Sequence, residues 1–191
     1  MSGLPFFVDI QHSSPSKHIH RWDEIESLGQ KIIDSFGITT SPLFFEIRID
    51  ADDKLFVIEV IPDFGGEYLA EYLIPSRSGF NFFKNSILAI DGKKISVPTK
   101  RKYKKAVIVQ YITAPKNGIL TSFTPLSGRI PKNIIYSALF RDVGSLVHSP
   151  ETNHDRIGVV IASGKTLEDA QNAASETIER YQIKIKEVRK K

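Results

Sequence analysis

The sequence predicts an α+β protein, an antiparallel sheet with helices packed against it. Two β-rich runs, "PLFFEIRID" and "LFVIEVI", surround the Asp-rich turn "ADDK" and read as an antiparallel hairpin. A second group, "KAVIVQYIT", "GILTSFTPL", "IIYSALFR" and "RIGVVIASG", fills the later part of the chain. Two segments carry apolar residues at three- and four-residue spacing and read as amphipathic helices.

The elements follow in order. A short strand is expected at Phe6–Ile10, before the polar run "QHSSPSKHIH". A helix begins near Asp23, with Ile25, Leu28, Ile32, Ile33 and Phe36 on one stripe and Gly37 as its stop. On the second hairpin strand, strict alternation puts Leu55, Val57, Glu59 and Ile61 on one face; on the first, Phe44, Glu46 and Arg48 share a face. After Gly66 a helix is expected over Glu67–Leu73, broken at Ile74-Pro75, with another from Gly79 to about Ala89. Lys93–Tyr103 reads as a basic linker and the only internal boundary. Near the end, Thr166 with Asp169 resembles a capping box. It opens a helix whose stripe is Leu167, Ala170, Ala174, Thr177, Ile178 and Tyr181. "IKIKEV" then alternates as a closing edge strand guarded by lysines.

Composition narrows the function. A chain of 191 residues, 41% apolar and 25% charged, reads as globular. No run of about 18 apolar residues could cross a membrane. The N-terminus lacks the basic and apolar regions of a signal peptide. With no cysteine there are no disulfides, thiol nucleophiles or thiolate metal sites. The cytoplasm is the expected compartment. The net charge of +4 collects in "KKISVPTKRKYKK" and "KIKEVRKK". These lysines suit phosphate contacts, but a basic loop and a solvated tail explain them equally well. Aromatic residues are not interleaved with them. A nucleic-acid partner is therefore not expected.

The candidates for chemistry are Glu46 and Glu59. They stand on neighbouring strands and can approach if the register allows. Two close carboxylates repel unless a cation sits between them, and hard oxygen ligands suit Mg²⁺ shared with substrate phosphates. The alternative is an exposed strand face on which each acid pairs with a lysine or arginine. Gly65 and Gly66 permit a left-handed turn or close approach of a ligand, without the Lys-Ser/Thr of a P-loop. The five histidines show no zinc spacing. No serine sits in a G-x-S-x-G elbow.

Residues 5–91 resemble the second half of the catalytic domain of the ATP-grasp superfamily. The branch they resemble most holds carbamoyl-phosphate-synthase-like domains and carboxylate–amine ligases. The match lies in "FFEIRIDADDKLFVIEVIPDFGGE", set against the family ending E-x-N-P-R-x-G-G, and in the following "EYLIPSRSGFNFFKNSI". "RIGVVIASGKTLEDAQNAASETIERYQIKI" resembles the small α+β closing domain of those ligases. The resemblance implies two parts, 1–92 as the C-terminal half of the catalytic domain and 93–191 as the closing domain. It implies an enzyme that phosphorylates a small-molecule carboxylate with Mg-ATP and passes the acyl group to an amine or similar nucleophile. Glu46 and Glu59 would then be magnesium ligands. Gly65 and Gly66 would lie beside the phosphates, and Arg77 would contact carboxylate or phosphate.

The family's metal-binding Asn is Ile61 here and its Arg is Asp63. A charge reversal about 4 Å from a phosphate costs on the order of several kcal/mol. The resemblance begins in the middle of the family's fold. The implied enzyme therefore needs an N-terminal part, and apolar surface left uncovered implies that partner or a homo-oligomer. The alternative is a non-catalytic remnant serving as a binding or scaffolding module.

Overall fold

Nine strands and four α-helices make up the chain among the residues described here. These are residues 6–95, 97, 103, 105–126 and 130–188 of a computed structural model. The basic cluster Lys100, Arg101, Lys102 and Lys104 lies outside the described residues. The chain divides into two compact units, one of Met1–Pro15 with Tyr103–Lys191 and the other of Ser16–Lys102.

In the first unit, β1 (Gln11–Ser14) lies antiparallel to β4 (Ala106–Thr113). The strand expected at Phe6–Ile10 therefore begins later. Ladder partners, not apolar content, decide where it forms: Gln11 faces Gln110 and Ser14 faces Val107. Val8 is fully buried, and the Ile10 carbonyl accepts from the Tyr111 N–H at 3.0 Å. Strands β6 (Ile134–Leu139) and β8 (Arg156–Gly164) complete a four-stranded sheet in the order β1-β4-β8-β6. The central strands are apolar and buried along nearly their whole length.

Helix α4 (Leu167–Arg180) packs on β4 and β8. Ala170, Ala173, Ala174 and Thr177 face a core that includes Ile108, Ile112, Val160 and Ala162. Its expected capping box is formed. The Thr166 hydroxyl accepts from the Asp169 N–H at 3.0 Å, and the Asp169 carboxylate accepts from the Thr166 N–H at 2.9 Å. A second sheet, in the order β7-β5-β9, joins β5 (Gly118–Ser122), β7 (Leu146–Val147) and β9 (Lys184–Glu187). β9 is an edge, as its lysines suggest. The two-residue β7 is too short to leave a periodic signal in sequence.

In the second unit, a 3₁₀ turn (Ile19–Arg21) leads into α1 (Trp22–Phe36). The Arg21 guanidinium donates to both Glu24 carboxylate oxygens and to the carbonyl and carboxylate of Asp53. This ties the helix start to the hairpin turn. Gly37 closes the helix at φ +62. The hairpin pairs β2 (Phe44–Ile49) with β3 (Leu55–Ile61). It meets α1 where Gly29 is buried: a Cβ there would come within 3.1 Å of the Phe45 ring.

Beyond the hairpin lies a π-helical turn, Leu69–Leu73, that runs straight into α2 (Ile74–Ser78). The chain does not break at Ile74-Pro75. Proline is accommodated in the first turn of α2. The break falls at Gly79. Asn81 then caps α3 (Phe82–Ile90) by accepting from the Lys84 N–H at 2.9 Å.

Candidate functional site

The hairpin register sets Glu46 directly opposite Glu59, with Phe44 opposite Ile61 on the same face. A bulge produces this arrangement. Toward the turn, Ile47 faces Val57 and Arg48 faces Phe56, so Ile58 is the extra residue. Without that shift, the register of the turn end would pair Glu46 with Ile58 and leave Glu59 on the other face. The alternation expected for Leu55, Val57, Glu59 and Ile61 is thus corrected. Leu55 and Val57 face Ile49 and Ile47, while Glu59 and Ile61 face Glu46 and Phe44.

Directly opposed residues hold their Cβ atoms about 4.5–5.5 Å apart, and like charges there are destabilising. Both carboxylates are exposed. Among the described residues neither joins a lysine or arginine in a salt bridge. The alternative in which each acid is neutralised by its own cation is therefore not seen. No third histidine, aspartate or glutamate completes a metal-holding group among the described residues. Two carboxylates suit a magnesium ion that draws its remaining ligands from water and a polyphosphate. They are too few for a cage made of protein alone.

The glycine pair divides in role. Gly65 has φ +69, and a Cβ added to it would lie 2.6 Å from Cδ2 of Phe44. The turn therefore passes against the ring that neighbours Glu46 on its face. Gly66 has no left-handed φ, and an added Cβ would meet nothing within 4 Å. Phe64 anchors the turn to the start of α3, with ring centroids 5.8 Å from Phe82 and 4.6 Å from Phe83. Asp63 accepts the Phe64 N–H and stays exposed, and Ile61 is half-buried.

Two consecutive left-handed residues, Glu67 (φ 66) and Tyr68 (φ 63), follow the glycines and launch the π-turn. Side chains rarely adopt such a backbone, and it clusters at functional turns. Sequence reasoning expected helix from Glu67, because periodicity registers side-chain spacing and not the sign of φ. Arg77 lies half-buried in the last turn of α2.

The other unit holds a cleft of about 780 Å³, lined by Asn117, His148, Glu151, Thr152, Asp155 and Glu187 among others. At Asp155 burial raises the carboxyl pKa. That effect is outweighed by the N–H groups of Thr152 and Glu151, the Thr152 hydroxyl and nearby His148, and the group ends below its ordinary value.

Residues 110–186 match the family model for the L-amino acid ligase C-terminal domain 2. No curated protein sequence matches the chain significantly. Among solved structures, phosphoribosylglycinamide synthetase from Anaerococcus prevotii superposes with a TM-score of 0.79 at 20% identity. That match covers 94% of this chain and 46% of the other. L-Amino acid ligase from Bacillus licheniformis gives 0.77 at 18% identity, covering 96% and 46%. The biotin carboxylase domain of Hydrogenobacter thermophilus 2-oxoglutarate carboxylase, solved with MgADP and bicarbonate, gives 0.66 at 18% identity, covering 92% and 39%. The chain shares its fold with these structures, in agreement with the resemblance to the ATP-grasp superfamily. The chain spans less than half the length of these structures. Among the described residues no helix is long and apolar enough to cross a membrane.

Proposed function

We propose that this chain is the C-terminal part of an ATP-grasp-like ligase. That enzyme would activate a small-molecule carboxylate as an acyl phosphate and pass it to an amine or similar nucleophile. The observation that carries the reading is the direct opposition of Glu46 and Glu59, on the face that the Gly65 turn passes. The two acids would hold Mg²⁺, which neutralises charge on the ATP phosphates. Gly65 keeps the backbone low enough for phosphate to approach, and Arg77 contacts carboxylate or phosphate. The unit carrying α4 is the counterpart of the small closing domain. Because the chain spans 46% of two of its structural neighbours, turnover requires the N-terminal part, supplied by the same or a separate polypeptide.

Two features favour a second reading, a non-catalytic binding module. Ile61 sets an apolar side chain beside the acids, and Asp63 adds negative charge where the family has a cation. Titration calorimetry decides between the readings. The ligase reading expects Mg-ATP to bind the chain assembled with its N-terminal part at micromolar concentration. A module expects no heat and no shift in melting temperature with Mg²⁺ or ATP.

A further inference from the structure

We propose that a groove at the C-terminal end of α4 binds the zwitterion of an aliphatic α-amino acid. The proposal does not rest on the ligase reading, and every residue it uses lies in the unit that carries α4.

The groove has a volume of about 400 Å³ and is lined from α4, the end of β4 and the start of β9. Small-ligand sites begin at about 300 Å³. Its floor is aliphatic. Ile112 belongs to the buried core, while Ile178, Ile183 and Ile185 pack against that core and keep part of their surface bare. Isoleucine is stiff at χ1, so the floor has a fixed shape. No aromatic ring lines it, so a flat ligand finds no stacking partner.

The rim carries one charge of each sign. Glu179 stands in the last turn of α4, where an acid works against a helix end that is already negative. Among the described residues it has no salt-bridge partner. An ammonium group placed here neutralises the acid and the helix end together. Lys116, in the turn between β4 and β5, supplies the positive charge. It pairs with Glu187 at 3.6 Å, with both side chains about half exposed. A pair so open to water is weak, and the lysine is easily redirected to a ligand carboxylate. Gln182, also in the lining, holds a left-handed φ of 46, a strained backbone of the kind that gathers at ligand sites. A ligand with a single charge leaves half of this rim unmatched. An amino acid with a branched aliphatic side chain meets both charges and covers the isoleucines.

The test is titration of the protein with L-leucine, followed through the methyl resonances of isotope-labelled isoleucine. The expected result is movement of Ile178, Ile183 and Ile185, with a dissociation constant of roughly 0.1–1 mM. Isocaproate lacks the amine and isoamylamine lacks the carboxylate; each should bind at least ~5-fold more weakly. Lys116→Gln and Glu179→Gln should each weaken leucine binding about 3-fold, and Glu187→Gln, which releases Lys116, should tighten it. Unmoved methyl groups at about ten times that concentration, or equal binding of either analogue, would overturn the proposal. So would undiminished affinity in either charge variant, or weakening by Glu187→Gln. The analogue comparison uses the unmodified protein, so a misfolded variant does not decide the outcome.

Discussion

Glu46 and Glu59 face each other across the β2–β3 hairpin because Ile58 is an extra residue in β3. The bulge brings two like charges to one face at a place where neither has a salt-bridge partner among the described residues. A pair of this kind costs stability unless a cation is shared.

In the chain alone, Glu59→Gln should raise stability by up to ~1 kcal/mol, since it removes a directly opposed like charge. Millimolar Mg²⁺ should raise the melting temperature of the parent and leave that of the variant nearly unchanged. Thermal melts with and without Mg²⁺ check both. A loss of stability on substitution would mean that the acid is neutralised in some other way.

Gly65→Ala and Gly66→Ala should part company. The first places an L-residue at φ +69 and drives a methyl group to 2.6 Å from the Phe44 ring. The backbone strain alone costs roughly 1–2 kcal/mol, and the ring must also shift. At Gly66 an added Cβ meets nothing within 4 Å, and a change within ~0.5 kcal/mol is expected. Urea denaturation of both variants measures the contrast; equal costs would contradict the described turn.

The acid limb of the stability profile should depend on two carboxylates. Asp169 is held below its ordinary value by the N–H and hydroxyl of Thr166. At Asp155 the burial that raises the value is overcome by hydrogen bonds from Thr152 and Glu151 and by His148. A folded value below the unfolded one of about 3.9 stabilises the fold above that pH. The contribution disappears as the pH falls through the lower folded value. Replacing both aspartates with asparagine should therefore flatten the loss of stability below about pH 4. An unchanged acid limb would rule these groups out.

Thr166→Ala should lower stability by ~1 kcal/mol, because it removes the hydroxyl that accepts from the Asp169 N–H at the start of α4. Thr166→Ser should restore most of it.

Much of this was legible in the residues. Helix α1 with its Gly37 stop, both hairpin strands, β8 and the capping box at Thr166 each carry a local signal: period, turn chemistry or a side-chain oxygen at fixed spacing. The candidate acids were also nameable, because charge within an apolar strand stands out. Their opposition was not. It depends on a bulge at Ile58, and nothing about isoleucine marks one. The left-handed pair Glu67 and Tyr68 was hidden because neither residue type favours that backbone. The true position of β1 was missed because a ladder is chosen by its partner strand.

In the proposed ligase, Glu46 and Glu59 would hold the magnesium ion. The most direct measurement is Mg-dependent ATP turnover by the chain assembled with its N-terminal part, compared with the assembled Glu59→Gln variant. A loss of at least about a hundredfold is expected, the scale set by removing one fixed electrostatic partner from a developing charge. Turnover by the Glu59→Gln assembly equal to that of the parent would contradict it.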